Sequence, residues 1–582
     1  MRSRYQRGPP VRWWASMVAP DGDPDAVDVL GADTRRSRYA AEPGATDHRS
    51  TATATPPPEA GAAPPRPALD GVADGDRPSL ATPAVVLLAI VTWLAAWRRD
   101  ATLPAVAAAA CVAVAELRRR AHGRRAELAV VDGARRRTAP SAGAATWPGE
   151  RRRGGGGPVA LVAAAIVLAV VAAARADAGV ASLEPDELGP WAGWARVVDD
   201  PQPAAGSTRV IVEVAGERFE FWARGRSAQR RARTWRAGQL VALSGERERL
   251  DERRARRVAW QHVVGELTID WTGDVAPGGP VARASNRVRA AIERAGEHLP
   301  SPDGALFRGL VVGDDRDQPR EVIERFRASG LSHLTAVSGQ NVSFLLAAAG
   351  PVLTRLRPWW RWAATIGLIA WFTALTRAEP SILRAGVMAA LAATAFTLGR
   401  ERSPIRLLAL AVVALVLVDP LLVGSVGFSL SVGATAGVSG PGPWLAARLA
   451  RVPGLRRVAL ALGVTLGAQL GVAVPSVVVF GRLPLVSVPA NLLAVPVAGA
   501  VMLYGLPAGL VAGHVPALAG PLLAPVAVGV RWVDAVAVLG ARLEPGPTGQ
   551  AVGWALLAAG VGGALAFSRH TRDRDGDPPH HR

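Results

Sequence analysis

Apolar residues in this chain of 582 residues come in long uninterrupted runs, and that pattern restricts the fold more than any other feature. The stretches Pro83 to Trp97, Leu103 to Leu117, Pro158 to Ala174 and most of the chain beyond Leu331 are rich in Ala, Val and Leu. A helix that crosses the hydrocarbon core needs about 20 such residues. Once water is gone, the helix satisfies its backbone polar groups within the segment. Several of the runs are short for this on their own, and their number carries the assignment. With 49% hydrophobic and 20% charged residues, the chain reads as a polytopic α-helical membrane protein, multi-pass in the cytoplasmic membrane, with the lipid bilayer as its first partner.

The bases are all arginine: lysine occurs nowhere, although the formal net charge is +19. A phosphate-binding loop of the form G-x-x-x-x-G-K-[ST] requires lysine, so ATP-driven work would have to come from a partner. Cys111 is the single cysteine, which excludes an internal disulfide and a cysteine-based metal cluster. No H-x-H-x-D-H cluster is present either. The expectation is a chain with no metal, no cofactor and no enzymatic activity.

Residues 1–79 are rich in Pro, Ala, Asp and Arg without periodicity and read as a disordered cytoplasmic tail. Residues 80–175 hold N-terminal membrane helices, a hairpin of Leu80 to Trp97 and Leu103 to Leu117, then Pro158 to Ala174. Between them runs a linker dense in arginine, including Arg118 to Arg120, Arg135 to Arg137 and Arg151 to Arg153. Loops of that kind stay on the cytoplasmic side, so the run from Pro158 carries the chain outward.

Residues 185–275 alternate polar and apolar positions in short stretches broken by glycine, the pattern of strands. Candidate strands are Gly193 to Val198, Thr208 to Val214, Arg218 to Ala223, Gln239 to Ser244 and Val258 to Val264, with a hairpin turn at Ala215-Gly216-Glu217. Five short strands in this span predict an inserted, small all-β, OB-like extracytoplasmic domain. Trp222, Arg224, Arg226, Arg230, Arg231, Arg233, Trp235 and Arg236 form a basic run with aromatic interleaving. Guanidinium groups pair with phosphates and indoles stack on bases, which makes these residues a candidate DNA-binding set. A solvated basic face over tryptophans in a small core is the other reading.

Residues 281–330 read as amphipathic interfacial helices, with Val288, Ala291, Ile292, Ala295 and Leu299 on one side of the first. Residues 331–545 form the main apolar domain, 551–567 a last membrane helix and 568–582 a charged tail.

Four elements of the second half carry a resemblance. They are LFRGLVVGDD from Leu306 followed by EVIERFRASGLSHLTAVSGQNV, then EPSILRA at Glu379 to Ala385, DPLLVGSVGFSLS at Asp419 to Ser431, and a series of Gln469, Pro475, Phe480, Asn491 and Pro496. In this order they resemble the ComEC competence family over about Ser301 to Val530. Many members carry Leu-His where this chain has Gln340-Asn341. The resemblance implies a short form without the family's metallo-β-lactamase-like module. It also implies a channel that imports single-stranded DNA during natural transformation. Its partners would be the DNA strand in transit, an extracytoplasmic DNA receptor and a cytoplasmic ATP-driven translocase, with homo-oligomerisation left open.

A polyanion crossing a bilayer needs a polar path, since even a single charge at the centre costs about 3 kcal/mol or more. On a helix starting near Leu331, Ser332, Thr335, Ser338 and Asn341 share about half the circumference, and Gly339 permits a break. The candidate pathway set is Asp314, His333, Ser338, Gly339, Asn341, Ser381, Arg384, Gln469 and Asn491. Small polar residues also join helices to one another in membranes, and a long arginine can snorkel to the interface; both readings stand beside the first. A hydrolase triad of Asp314, His333 and Ser338 lacks a G-x-S-x-G elbow. A secondary transporter of a small solute is the alternative function, because broken helices rich in Gly and Pro also build such sites.

Overall fold

The computed structural model describes residues 82–117, 157–204, 206–335, 338–400, 403–452 and 454–575. The expected tail 1–79, the arginine-rich linker from Arg118 and the end of the charged tail lie outside the described residues. Helices α1 (Thr82–Arg98) and α2 (Thr102–Leu117) form the expected hairpin. Its turn is fixed by Asp100, whose carboxylate accepts from the Thr102 amide and hydroxyl at 2.8 and 2.7 Å. Helix α3 (Gly157–Ala181) packs on α1 through Ala165, Ala169, Ala172 and Ala176, a small-residue stripe at helical spacing that lets the two axes approach closely.

The next segment is a mixed sheet of β1 (Gly189–Val197), β2 (Gln202–Ala204), β3 (Ser207–Val214), β4 (Glu217–Arg224), β5 (Leu240–Arg249) and β6 (Val263–Ala276). The hydrogen-bonded order is β1-β5-β6-β4-β3-β2, and an extra β1–β3 pairing closes the five longer strands into a barrel. Only β4 and β6 run parallel. Ala215 and Gly216 take positive φ at the predicted hairpin turn. Helix α4 (Arg226–Arg233) fills the connection between β4 and β5.

The expected strand at Val258 to Val264 forms only from Val263. Asp251 caps the helix α5 (Glu252–Val258) by accepting from the amides of Arg253 and Arg254, which commits the preceding residues to helix. A carboxylate, Glu220, is fully buried between Arg209 and Arg254 and fastens α5 to the barrel.

Helices α6 (Pro280–Glu297), α7 (Asp303–Val312) and α8 (Arg320–Ala328) follow, and then a short turn of helix, α9 (Ser332–Thr335). The bundle continues with α10 (Gly339–Leu353), α11 (Pro358–Leu375), α12 (Pro380–Thr397), α13 (Pro404–Val418), α14 (Val426–Ser439), α15 (Pro441–Leu449), α16 (Ala459–Phe480), α17 (Ser487–Ala512), α18 (Ala519–Leu543) and α19 (Pro547–Asp575). Among the described residues, five helices are long and apolar enough to cross a membrane: Pro158–Ala181, Pro380–Thr397, Ala459–Phe480, Ser487–Ala512 and Pro516–Leu543.

The amphipathic segment 281–330 is woven into this bundle rather than laid open beside it. Ile292, Leu306, Phe307, Leu310, Val322 and Phe326 share one core with Ala494, Val501, Leu523 and Val530 of α17 and α18. Elsewhere the backbones touch. A Cβ on Gly437 would overlap the Gly467 carbonyl, and one on Gly471 would overlap the Gly433 carbonyl, so α14 and α16 meet with no side chain between them.

Candidate functional site

Three of the sequence elements that carry the resemblance converge inside the bundle. The helix expected to run on from Leu331 breaks: α9 stops at Thr335, and α10 starts at Gly339 with Ser338 extended before it. The Ser338 hydroxyl donates to Asn341 Oδ1 at 3.1 Å, which folds the break back on the first turn of α10. Arg384, one turn inside α12, reaches this place. A Cβ on Gly339 would fall on its Nη2, so glycine is the residue that lets the guanidinium approach the helix start.

Arg384 is 5% exposed. Its Nε donates to Ser431 Oγ at 2.8 Å, and its Nη1 lies 3.0 Å from Met388 Sδ. No carboxylate pairs with it among the described residues. Ser338, Gly339, Asn341 and Arg384 are thus brought together, and Ser431 joins them from the Phe-x-Leu-Ser element without having been singled out in the sequence. Ser381 lies one turn earlier on α12. An arginine buried in an apolar bundle with only neutral partners keeps its attraction for a passing anion.

The other expected pathway residues lie elsewhere. Gln469 donates to Ser487 Oγ and Asn491 to the Ser487 carbonyl at 2.7 Å, a second polar group at the start of α17. His333 is bound through Nδ1 to the Gly330 carbonyl at 3.2 Å. No two of Asp314, His333 and Ser338 bond to one another, so the geometry of a triad is absent among these three.

Asp314 belongs to a charged junction between barrel and bundle. Asp200, in the β1–β2 loop, accepts from Arg377 at 3.1 and 3.2 Å, from Arg289 of α6 at 3.0 Å and from the Ala237 amide at 2.9 Å. Arg377, in the α11–α12 turn with φ 61°, also donates to Asn286 at 2.6 Å. Arg289 reaches the Val312 carbonyl at 2.9 Å and lies 3.9 Å from Asp314, which holds Arg316 by two bonds of 2.6 Å. Burial works to raise the pKa of Asp200. Arg289 and Arg377 outweigh it and hold the carboxyl well below its ordinary value of 3.8. Asp314 is lowered in the same way, against its burial, by its bonds to Arg316 and by the charge of Arg289. The glycine-aspartate turn of the first resemblance element is therefore a fastening point for the barrel, and only the fold, not the spacing, shows it.

The basic run of the barrel divides. Arg224, Arg226, Arg230, Arg231 and Arg233 are exposed, on and beside α4, and Arg231 also bonds to Thr272. Trp235 is a correction to the expected DNA-binding set. It is 2% exposed and packs edge-on against Phe221 at 5.9 Å, and a ring buried in the barrel core has no face for a base. Arg236 makes a two-pronged pair with Glu293 at 2.9 and 2.7 Å, which binds it to α6 instead of leaving it for a phosphate. The Trp222 ring is covered by Arg254, whose guanidinium carbon lies 4.8 Å from its centroid. The exposed indoles of the barrel are Trp194 and Trp271, at 53% and 57%, and the sequence pattern did not single them out.

Comparison with known proteins agrees with the placement of the motifs. A model of the competence protein family matches residues 310–573. Over 208 residues the chain is 31% identical to an uncharacterized protein, YcaI, of Escherichia coli, covering 34% of this chain and 28% of that protein. Over 206 residues it is 30% identical to ComE operon protein 3 of Bacillus subtilis, covering 34% of this chain and 25% of the relative. The matched segments thus span only about a quarter of the length of these relatives. No solved structure matches the chain. The bundle that holds Ser338, Arg384, Ser431 and the junction residue Asp314 is, over residues 310–573, a competence-family domain homologous to that of ComE operon protein 3.

Proposed function

We propose that this protein is the channel through which single-stranded DNA crosses the cytoplasmic membrane during natural transformation. The observation that carries the reading is the uncompensated Arg384 guanidinium, held at the Ser338–Gly339 helix break by residues from three separate competence elements. A fixed cation surrounded by hydroxyl and amide dipoles attracts each phosphate as it arrives. With no carboxylate beside it among the described residues, the group has no built-in competitor for the passing anion. Neutral neighbours keep the interaction short of a trap.

The barrel supports the same reading. Taken without the short β2, the strand order is that of an OB-type barrel, with the third and fifth strands parallel and a helix between the third and fourth. It would face outward and meet the strand with the exposed arginines of α4. In this scheme a separate receptor delivers the DNA from outside, an ATP-driven motor draws it inward, and strand degradation falls to another protein.

The test is uptake of a labelled oligonucleotide into vesicles reconstituted with the full chain, beside a panel of small solutes. Arg384→Gln is expected to lower oligonucleotide uptake at least tenfold, with unchanged protein in the membrane, and Arg384→Lys to retain part of it. Uptake of a small solute without oligonucleotide would support the transporter reading. Normal oligonucleotide uptake by Arg384→Gln would remove Arg384 from the path.

A further inference from the structure

The barrel has a second distinctive surface, on the face formed by β1, β5 and β6. Residues alternate along β1 so that Pro190, Ala192, Trp194 and Arg196 point outward. The ladders set Ala192 opposite Ser244, Trp194 opposite Ala242, and Ser244 opposite Trp271. Strands lie about 4.8 Å apart and rise about 3.4 Å per residue, which places the Cα atoms of the two tryptophans about 12 Å apart across β5. Between them lie only small side chains. The Trp271 ring leans along its strand over Gly273, where a Cβ would overlap it. The result is a shallow slot with an indole on either side and a floor of Ala192, Ala242 and Ser244.

The charges near this slot are the reverse of those on α4. Glu246, opposite both Pro190 and Thr268, is exposed, and so are Asp270 and Asp274 in the irregular stretches of β6 on either side of Trp271. None of the three carboxylates is in an ion pair with a described residue. Arg196, the base that points outward on β1, is taken by Glu213 at 3.2 Å. In a chain of net charge +19, a patch of free carboxylates around two open indoles stands out from its surroundings.

We propose that this face docks a polypeptide partner through an arginine- or lysine-bearing segment laid between Trp194 and Trp271. A guanidinium or ammonium is drawn to the face of an exposed indole by cation–π attraction, and Glu246, Asp270 and Asp274 attract the remaining charge of the segment. Unpaired bases would also stack on indoles, but their phosphates would face the same carboxylates. An anionic lipid surface meets the same repulsion. The proposal does not depend on what crosses the bundle, so it can fail or stand apart from the channel reading.

The experiment uses the full chain in nanodiscs of zwitterionic phosphatidylcholine, with a fluorescein-labelled nona-arginine peptide as probe and a labelled 20-nucleotide single strand as comparison, read by anisotropy. The overall positive charge of the protein opposes peptide binding everywhere except at an acidic site. Trp194→Ala with Trp271→Ala leaves the net charge unchanged and is expected to weaken the peptide tenfold or more while leaving the oligonucleotide unaffected. Glu246→Lys, Asp270→Lys and Asp274→Lys together, which keep both rings, are expected to abolish peptide binding. These triple substitutions decide the matter alone if the alanine pair does not fold. Peptide binding unaltered by either variant overturns the proposal. A tenfold loss of oligonucleotide affinity in the tryptophan pair also overturns it, because it would make this face a base-stacking platform.

Discussion

Replacing Asp200 by Asn tests whether the charged junction holds the barrel on the bundle. The amide keeps the shape of the carboxylate and one oxygen for the Ala237 amide, but it removes the charge shared by Arg289 and Arg377. At an effective dielectric of about 20, a unit pair 3–4 Å apart attracts by roughly 4–5 kcal/mol, and desolvation offsets much of that. Removing one member of a buried pair nevertheless costs about 3–5 kcal/mol, because the other is left uncompensated. Arg289, 6% exposed, keeps its bonds to the Val312 and Leu375 carbonyls, but among the described residues its only remaining carboxylate is Asp314 at 3.9 Å. The loss corresponds to roughly two to three and a half powers of ten in the opening equilibrium of the junction. Hydrogen exchange by the full chain in nanodiscs reads it. Peptides covering 196–200 and 236–240 should exchange at least a hundredfold faster in Asp200→Asn, while 210–214 inside the barrel should hold its protection. A cycle with Arg377→Gln should show strong coupling, the double variant costing little more than either single one. Junction exchange within threefold of the parent in a folded protein, or strictly additive effects, would refute the reasoning.

Other expectations follow from the same geometry. Gly437→Val drives a side chain into the Gly467 backbone and should prevent α14 and α16 from closing, with a loss of at least ~3 kcal/mol seen as a lower melting temperature or loss of membrane-inserted protein. Gly367→Ala, where a Cβ meets open space, is the control and should be neutral. Trp235→Ala should cost about 3–5 kcal/mol as a core truncation, measured by thermal melting of the full chain; a change under 1 kcal/mol would contradict its burial. Asp200 and Asp314 both have folded pKa values depressed below 3.8, so their contribution is fully present above that value and is lost as pH falls through the depressed range. Exchange at the junction should therefore be insensitive to these two groups between pH 5 and 8 and rise below about pH 4.

The long helices were legible because apolar runs of that length leave a chain few alternatives, and the hairpin at Ala215-Gly216 was legible because few residues other than glycine accept its second position. β3 and β4 were read to within a residue of their ends, whereas β2 was missed, β1 begins four residues earlier than expected, β5 runs on to Arg249, and β6 starts only at Val263, after the helix that Asp251 caps, and runs on to Ala276. The site was half legible. Ser338, Gly339, Asn341 and Arg384 meet as one group, but the motif order says nothing of Ser431 coming within 2.8 Å of Arg384. Asp314 was chosen for a pathway and stands in a fastening network, because a buried carboxylate needs partners that lie on α6 and in the turn that follows it. Trp235 lies in the barrel core and Trp222 carries Arg254 over its ring, for a related reason. Interleaving with arginine marks both a nucleic-acid groove and a barrel whose own arginines cover its indoles, and only burial separates the two. Trp194 and Trp271 sit in strands with few nearby bases, so a search for basic runs passed over them.

The packing also limits where a passage for DNA can form in the proposed channel. Between α14 and α16 the backbones are in direct contact, with glycine facing carbonyl at Gly433, Gly437, Gly467 and Gly471. Parting them would strip many short-range backbone contacts at once. Between α10 and α12 the contact is of another kind. Arg384 meets Gly339 there, beside Ser338 and Asn341, and hydroxyl, amide and guanidinium groups can exchange one another for water or phosphate at small cost. The break between α9 and α10 further frees the helix start from continuous backbone bonding. A strand entering the bundle would therefore open it along the α10–α12 seam while the α14–α16 pair stays closed as the rigid wall. Cross-linking supplies the discriminating measurement: a bond fixing α10 to α12 near the break should stop import, whereas one tying α14 to α16 should leave it intact.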